Sequence, residues 1–328
     1  MARSAVALLA LSLLTAACGG SGDSAAPESP TTAAVTEAPV DTAVEEAADS
    51  WMFEGADGVV STISDTSRIV ALSGDLTEGV FALGFGDSVV AVDVTTVEPE
   101  TARRLPIIGV GRFLNAEAVL AQAPTLVIGD TQTSPLPAIE QIRSAGVPVV
   151  ILDVPTTFDG LYAKLVALGK LLGDEAAGQS LADQVAAEVD AAVAAVDTPA
   201  PSPGIAFIYS RGPDVMLLFG EGMTTVPLIE SVGGRDVGAA SGVSGTVAVT
   251  PEALIAAAPD IIITTSEGLA ALGGVDGFLA TPGVAETPAG RDRRILDYPE
   301  GDFLTFGPRV AASIALLASD MATALSAP

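Results

Sequence analysis

From Arg68 onward, short apolar runs alternate with helix-length stretches, and that alternation leaves few ways to fold. Strands are predicted at 69–72, 89–92, 125–128 and 147–152, and again at 205–209, 215–218, 261–264 and 294–297. Helices are predicted between them at 76–83, 117–122, 138–145, 225–232, 252–257 and 308–325. Such alternation builds parallel sheets with helices packed on their faces.

The middle of the chain breaks the pattern. Residues 157–172 and 176–196 read as two helices, the second with no proline and no glycine beyond its first turn. Leu181, Val185, Val189 and Val193 recur every four residues along it as one apolar stripe. The proline-rich stretch TPAPSP (198–203) stops it. At 1.5 Å per residue that helix is about 30 Å long, enough to span two lobes as a backbone.

The two halves echo each other across this helix. AEAVL (116–120) leads to PTLVI at Pro124, and PEALI (251–255) leads to PDIII at Pro259. In both, a glutamate precedes a proline by seven positions, through a short helix and into a strand. The repeat predicts two lobes of similar design, with Glu117 and Glu252 in equivalent places.

The chain does not begin as a folded domain. Arg3 supplies a positive charge, AVALLALSLL (5–14) a ten-residue apolar run, and Thr15-Ala16-Ala17 a small-residue exit before Cys18. That is an export signal, and the run is short of the roughly 20 apolar residues that span a membrane. Cys18 is the only cysteine of the 328 residues, so no internal disulfide can form. Its place after the apolar run resembles a lipobox, although Leu14 stands one position early; the plainer reading is ordinary export with an incidental cysteine. Residues 19–49 are mostly Gly, Ser, Ala, Pro, Thr and acids without aromatics, a composition that stays extended. A net charge of −27 disfavours nucleic acid and an anionic membrane surface as partners.

These blocks resemble, in order and spacing, the substrate-binding proteins of iron-chelate, haem and vitamin B12 ABC importers. The similarity runs through RIVALSGDLTEGVFALGFGDSVVAVD (68–93), LPIIGVGRFLNAEAVLAQAPTLVI (105–128), LIESVGGRDV (228–237), VTPEALIAAAPDIIIT (249–264) and LTFGPRVAASIALLA (304–318). The stretch 269–295 and FGPR (306–309) are nearest to the haem-binding branch. The resemblance implies an α/β fold of two Rossmann-like lobes joined by a long linking helix, with a ligand cleft between them. The boundaries it suggests are a signal peptide over 1–17, a lipid-anchored linker over 18–60, an N-terminal lobe over 66–155, linking helices over 156–200 and a C-terminal lobe over 204–328. It also implies a permease and its ATPase as partners, docked through Glu117 and Glu252, with Cys18 acylated at the outer face of the membrane. The plainer reading of each glutamate is an acid favoured in a helix's first turn, and their equivalent placement in the two halves favours docking.

Ligands of open α/β sheets bind beyond the carboxyl ends of the strands. The cleft loops are therefore 73–78, 94–99, 109–114, 130–133, 210–211, 220–223, 245–247 and 297–303. Within the family pattern, Glu98 stands where a haem-ligating tyrosine is common, and Thr246 where a second one lies. Histidine is absent from the chain. The remaining candidates are Arg112 and Arg211 for ligand carboxylates, Tyr209, Tyr298 and Met223 as direct ligands, and Glu98 and Asp302 for a hard cation. Arg309 is another candidate for those carboxylates, although an arginine at a helix start reads more readily as a structural partner for a neighbouring loop acid. No cofactor of the protein's own is expected; haem or another iron chelate would be cargo, and the metal ligand stays open.

Catalysis by Ser-His-Asp, Cys-His or His-metal groups is excluded by composition, and no phosphate-binding G-x-x-x-x-G-K-[ST] loop is present. A sensor or adhesin with the same fold is the other reading, and the two docking glutamates favour transport over it. Wild-type protein is expected to partition into detergent carrying acyl chains, and Cys18→Ser to abolish both; mass spectrometry of the mature N-terminus showing an unmodified Cys18 would count against the anchor.

Overall fold

A computed structural model describes residues 50–326. The export segment, Cys18 and most of the expected tether lie outside those residues. Among the described residues the first elements are β1 (Trp51–Glu54) and β2 (Val60–Ile63), an antiparallel hairpin. Phe53 and Ile63 are buried in one face of the N-terminal lobe, and Ala56 N donates to Ile151 O at 2.7 Å. The boundary expected at residue 60 is therefore corrected: 51–63 is part of the lobe, held by apolar burial that its alternating pattern supplies.

β3 (Ile69–Ala71), β4 (Val89–Val92), β5 (Leu126–Asp130) and β6 (Val149–Leu152) form a four-stranded parallel sheet in the order β4-β3-β5-β6. Its residues divide by strand periodicity. Ile69, Ala71, Leu126, Ile128, Val150 and Leu152 enter one core; Val70, Leu72, Val127, Val149 and Ile151 enter another on the opposite face. Burial on both sides is why these strands read as unbroken apolar runs.

The C-terminal lobe holds β7 (Gly204–Ser210), β8 (Met216–Phe219), β9 (Arg235–Asp236), β10 (Thr246–Ala248), β11 (Ile261–Thr265) and β12 (Ile295–Tyr298). The order is β10-β8-β7-β11-β12, with β9 on β7. β7, β11 and β12 are parallel, while β8 and β10 are antiparallel additions. Again Ile205 and Phe207 face one core, and Ala206 and Ile208 the other.

The linking segment is a helix pair, Phe158–Leu171 and Glu175–Ala194, capped by the side chains of Thr157 and Asp174. The expectation that the longer helix spans the lobes is corrected: its buried residues Ala182, Val185 and Val189 all enter the C-terminal core, and the shorter helix does the bridging. Leu161 and Leu165 pack in the C-terminal core, and Leu168 and Leu171 in the N-terminal one. The longer helix buries Gly178, Ala182, Val185 and Val189, whereas Leu181 is half-buried and Val193 exposed. A strict four-residue spacing drifts about 40° per step around a 3.6-residue helix, so the ends of such a stripe leave the contact face.

The half-repeat is structural as well as sequential. Helices Ala116–Leu120 and Pro251–Ala257 are capped by Asn115 and Thr250, whose side chains accept from Ala118 N and Ala253 N. Both lead into a left-handed alanine before the proline, Ala123 at φ 48° and Ala258 at φ 45°. These are two of only three non-glycine residues with positive φ among those described.

The two linking helices approach closely where glycine meets glycine: a Cβ built on Gly169 would lie 2.5 Å from Gly178 Cα. In an ordinary helix interior, Gly→Ala gains about 1 kcal/mol. Here Gly169→Ala should instead cost about 1–3 kcal/mol by overpacking, read as a lower urea midpoint. An unchanged or higher midpoint would show that the helices can part without loss.

Candidate ligand cleft

Two acids on one helix, Gly74–Ala82 of the N-terminal lobe, meet cations brought by other segments. Asp75 pairs with Lys164 of the bridging helix, and both side chains are largely buried. Glu78, 5% exposed, accepts from Arg309 at 2.8 Å. Arg309 thus has the structural role foreseen for it, with a helix acid rather than a loop acid as partner. Gly307 packs against Asp75 and Glu78, and Gly301 against Thr95 and Val97. The C-terminal segment 301–309 is therefore seated on the N-terminal lobe, and the gap left beside it is a cleft of about 680 Å³.

Each of the eight expected loops contributes a lining residue, among them Asp75, Thr95, Val110, Arg112, Phe113, Asp130, Gln132, Arg211, Gly222, Met223, Thr246 and Glu300. The N-terminal contributors stand at or just beyond the ends of β3, β4 and β5, where the strand order reverses direction. The floor there is acidic and held in place. Asp93 is buried, accepting from Thr95 N, Thr95 Oγ1 and Gly111 N at 2.6–2.7 Å. Burial pushes its carboxyl above the usual range, against those hydrogen bonds. Burial also raises Asp130, with the Lys164 charge opposing it. Leu217, Phe219, Leu304 and Phe306 make the C-terminal wall apolar.

On that wall sits a polar group of three. Tyr209 and Arg211 are two apart at the end of β7, so their side chains leave on the same face. Arg211 Nε donates to Tyr209 Oη at 2.6 Å, and its guanidinium lies 5.4 Å from the ring centroid. Glu300 pairs with Arg211 and has Oε1 3.4 Å from Tyr209 Oη. The hydrogen bond to Tyr209 and the Glu300 charge raise Arg211 above even its usual pKa. Tyr209 also stacks on Phe219 at 6.0 Å. Arg211 is thus engaged with Glu300 and Tyr209 and is not the open carboxylate receptor expected of it. Arg112, whose hydrogen-bond partner is the neutral Gln132, suits that task better.

Other candidates fall elsewhere. Tyr298 is 5% exposed, stacks on Phe303 at 4.9 Å and donates to Asp320 at 3.0 Å, so it is a core residue. Burial and the Asp320 hydrogen bond raise its pKa, which keeps it a phenol. Glu98 is half-buried and does not line the cleft. Asp302 falls in the short helix Glu300–Phe303. Met223 and Thr246 do line the cleft. Among the described residues no cluster of three or more His, Cys, Asp or Glu is arranged to hold a metal ion. Glu117 and Glu252 are exposed, Glu117 beside a shallow groove it shares with Phe113, Asn115, Pro137 and Gln141. Sequence reasoning missed Glu300 and Phe113 as individuals, though it placed both in cleft loops.

The chain matches the Periplasmic binding protein family over residues 69–301. It belongs to that family. Members are binding proteins rather than enzymes. As a periplasmic binding protein it is similar to the solved periplasmic heme-binding protein RhuT from Roseiflexus sp. RS-1 in apo form, at 39% identity and a TM-score of 0.76. That match covers 79% of this chain and 99% of the other. It is 26% identical over 220 residues to a cobalamin-binding protein of Halobacterium salinarum, covering 64% of this chain and 57% of that protein. The chain thus spans little more than half the length of that relative. It is also 25% identical over 266 residues to the uncharacterized ABC transporter substrate-binding lipoprotein YvrC of Bacillus subtilis, covering 80% and 82% of the two. No helix among the described residues is long and apolar enough to cross a membrane.

Proposed function

We propose that this periplasmic binding protein captures haem in the cleft between its lobes and hands it to an ABC permease, tethered outside the membrane through Cys18. One observation carries the ligand: a tyrosine hydroxyl facing the cleft and receiving the Nε–H of an arginine. The arginine N–H orients the hydroxyl oxygen, and a tyrosine oxygen is one of the few protein ligands for haem iron. Tyr209 is thus the iron ligand in this reading, in place of the tyrosine that Glu98 displaces. Glu300 fixes Arg211 against it. The apolar wall of Leu217, Phe219 and Phe306 suits the macrocycle, and Arg112 a carboxylate at its edge. The likeness to RhuT supports haem as cargo, and the likeness to YvrC supports a lipoprotein serving an ABC importer.

The test is a haem titration followed by Soret absorbance. Wild type should bind, and Tyr209→Phe should lose the spectral change that reports iron ligation. Arg211→Ala should weaken binding by about ten- to a hundredfold, the worth of a charged hydrogen bond of about 1.5–3 kcal/mol. A wild type with no Soret response that binds cobalamin instead would transfer the reading to that ligand.

Delivery rests on Glu117 and Glu252, exposed acids at matching places in the two lobes and suited to arginines of a permease. Charge reversal at both should leave haem affinity in solution within about threefold while lowering uptake by cells at least about tenfold. Normal uptake by the double variant would remove the docking role and favour a sensor or adhesin.

A further inference from the structure

Phe113 is, at 81%, more exposed than any other large apolar side chain among the described residues. Folding gives it no reason to be aromatic, because it contributes almost nothing to the core. Its backbone, in contrast, is held firmly. Gly111 N donates to the buried Asp93 carboxylate at 2.6 Å, and Phe113 N to Val110 O at 2.8 Å. Ser134 closes the loop from the other side: its N donates to Gly111 O, its Oγ to Arg112 O, and Leu114 N to its carbonyl, all within 3.0 Å. Gly111 crosses the end of β3 so closely that a Cβ there would lie 2.5 Å from Leu72 O. Leu114, the next residue after Phe113, is buried and pins the loop's exit.

The result is a ring in solvent on a stem with little backbone freedom, lining the cleft on the lobe opposite Tyr209 and Phe219. A preorganised stem reduces the ordering cost of a contact made only when something arrives. We propose that Phe113 is the N-terminal lobe's ligand-contacting aromatic, stacking on the face of a planar conjugated macrocycle held in the cleft. It is a specificity residue for flat aromatic cargo and not part of iron ligation. The inference rests on the tetrapyrrole reading above, but on different residues, so the two can fail separately.

Titration of wild type, Phe113→Ala, Phe113→Leu and Phe113→Trp with haem and with metal-free protoporphyrin IX distinguishes them. Phe113→Ala should weaken both porphyrins by about ten- to thirtyfold, the loss of one buried aromatic face. Phe113→Leu should fall between, and Phe113→Trp should stay within about threefold of wild type. The melting temperature should not move in Phe113→Ala, because so exposed a ring supports little of the fold. Tyr209→Phe, in contrast, should lose the haem spectral signature while keeping metal-free porphyrin. If wild type binds and Phe113→Ala binds both porphyrins equally well, the stacking role is wrong and the haem reading stands. Weakening of haem alone would likewise overturn it, since a stacked face does not sense iron. If wild type takes up neither porphyrin, the haem reading fails and this contact falls with it.

Discussion

One turn of one helix holds the two lobes in register. Asp75 and Glu78 are three residues apart, so they share a face of helix Gly74–Ala82. Lys164 reaches the first from the bridging helix, and Arg309 reaches the second from the segment before the last helix. Asp75 and Glu78 are both largely removed from water, as is Lys164, and deleting one partner of a buried pair costs about 3–5 kcal/mol because the other charge is stranded. Burial of this kind makes the contact specific as well as firm. Since Asp75 also lines the cleft, the residue that sets the lobe spacing is in contact with the space that the ligand occupies.

The cleft that results has unlike walls. Below lies an acidic floor of Asp75, Asp93 and Asp130, tied down by backbone N–H groups, Lys164 and the loop 109–114. Beside it lies an apolar wall carrying Tyr209, Arg211 and Glu300, in which each charge has a partner.

The repeated halves show how a local motif survives in two settings. Asn115 and Thr250 cap their helices in the same way, and the same left-handed alanine precedes the same proline. A β-carbon in that conformation is strained by about 1–2 kcal/mol, and the structure accepts it twice. In both halves it falls in the short connection between the helix and a sheet strand, residues 121–125 in one lobe and 258–260 in the other. That shared turn places Glu117 and Glu252 at equivalent, exposed positions.

Sequence alone determined what local periodicity and turn chemistry encode. The strands β3–β8, β11 and β12, the two linking helices and the half-repeat are legible, because unbroken apolar runs and helix caps are properties of neighbouring residues. β9 and β10 are not, and the segments expected as loops at 73–78, 245–247 and 297–303 fall largely in a helix, in β10 and in a short helix. Tertiary structure decided what depends on residues far apart. The bridging helix proved to be the shorter one, because Leu161 and Leu168 find different cores on its two halves. The hairpin at 51–63 joined the lobe because Phe53 and Ile63 meet a core built from residues 69–172. Tyr298 and Tyr209 look alike in sequence. One turns into the core against Asp320, and the other turns to the cleft against Arg211 and Glu300. Strand alternation fixes which face a side chain leaves from, but only the packed neighbours decide whether that face meets protein or open space.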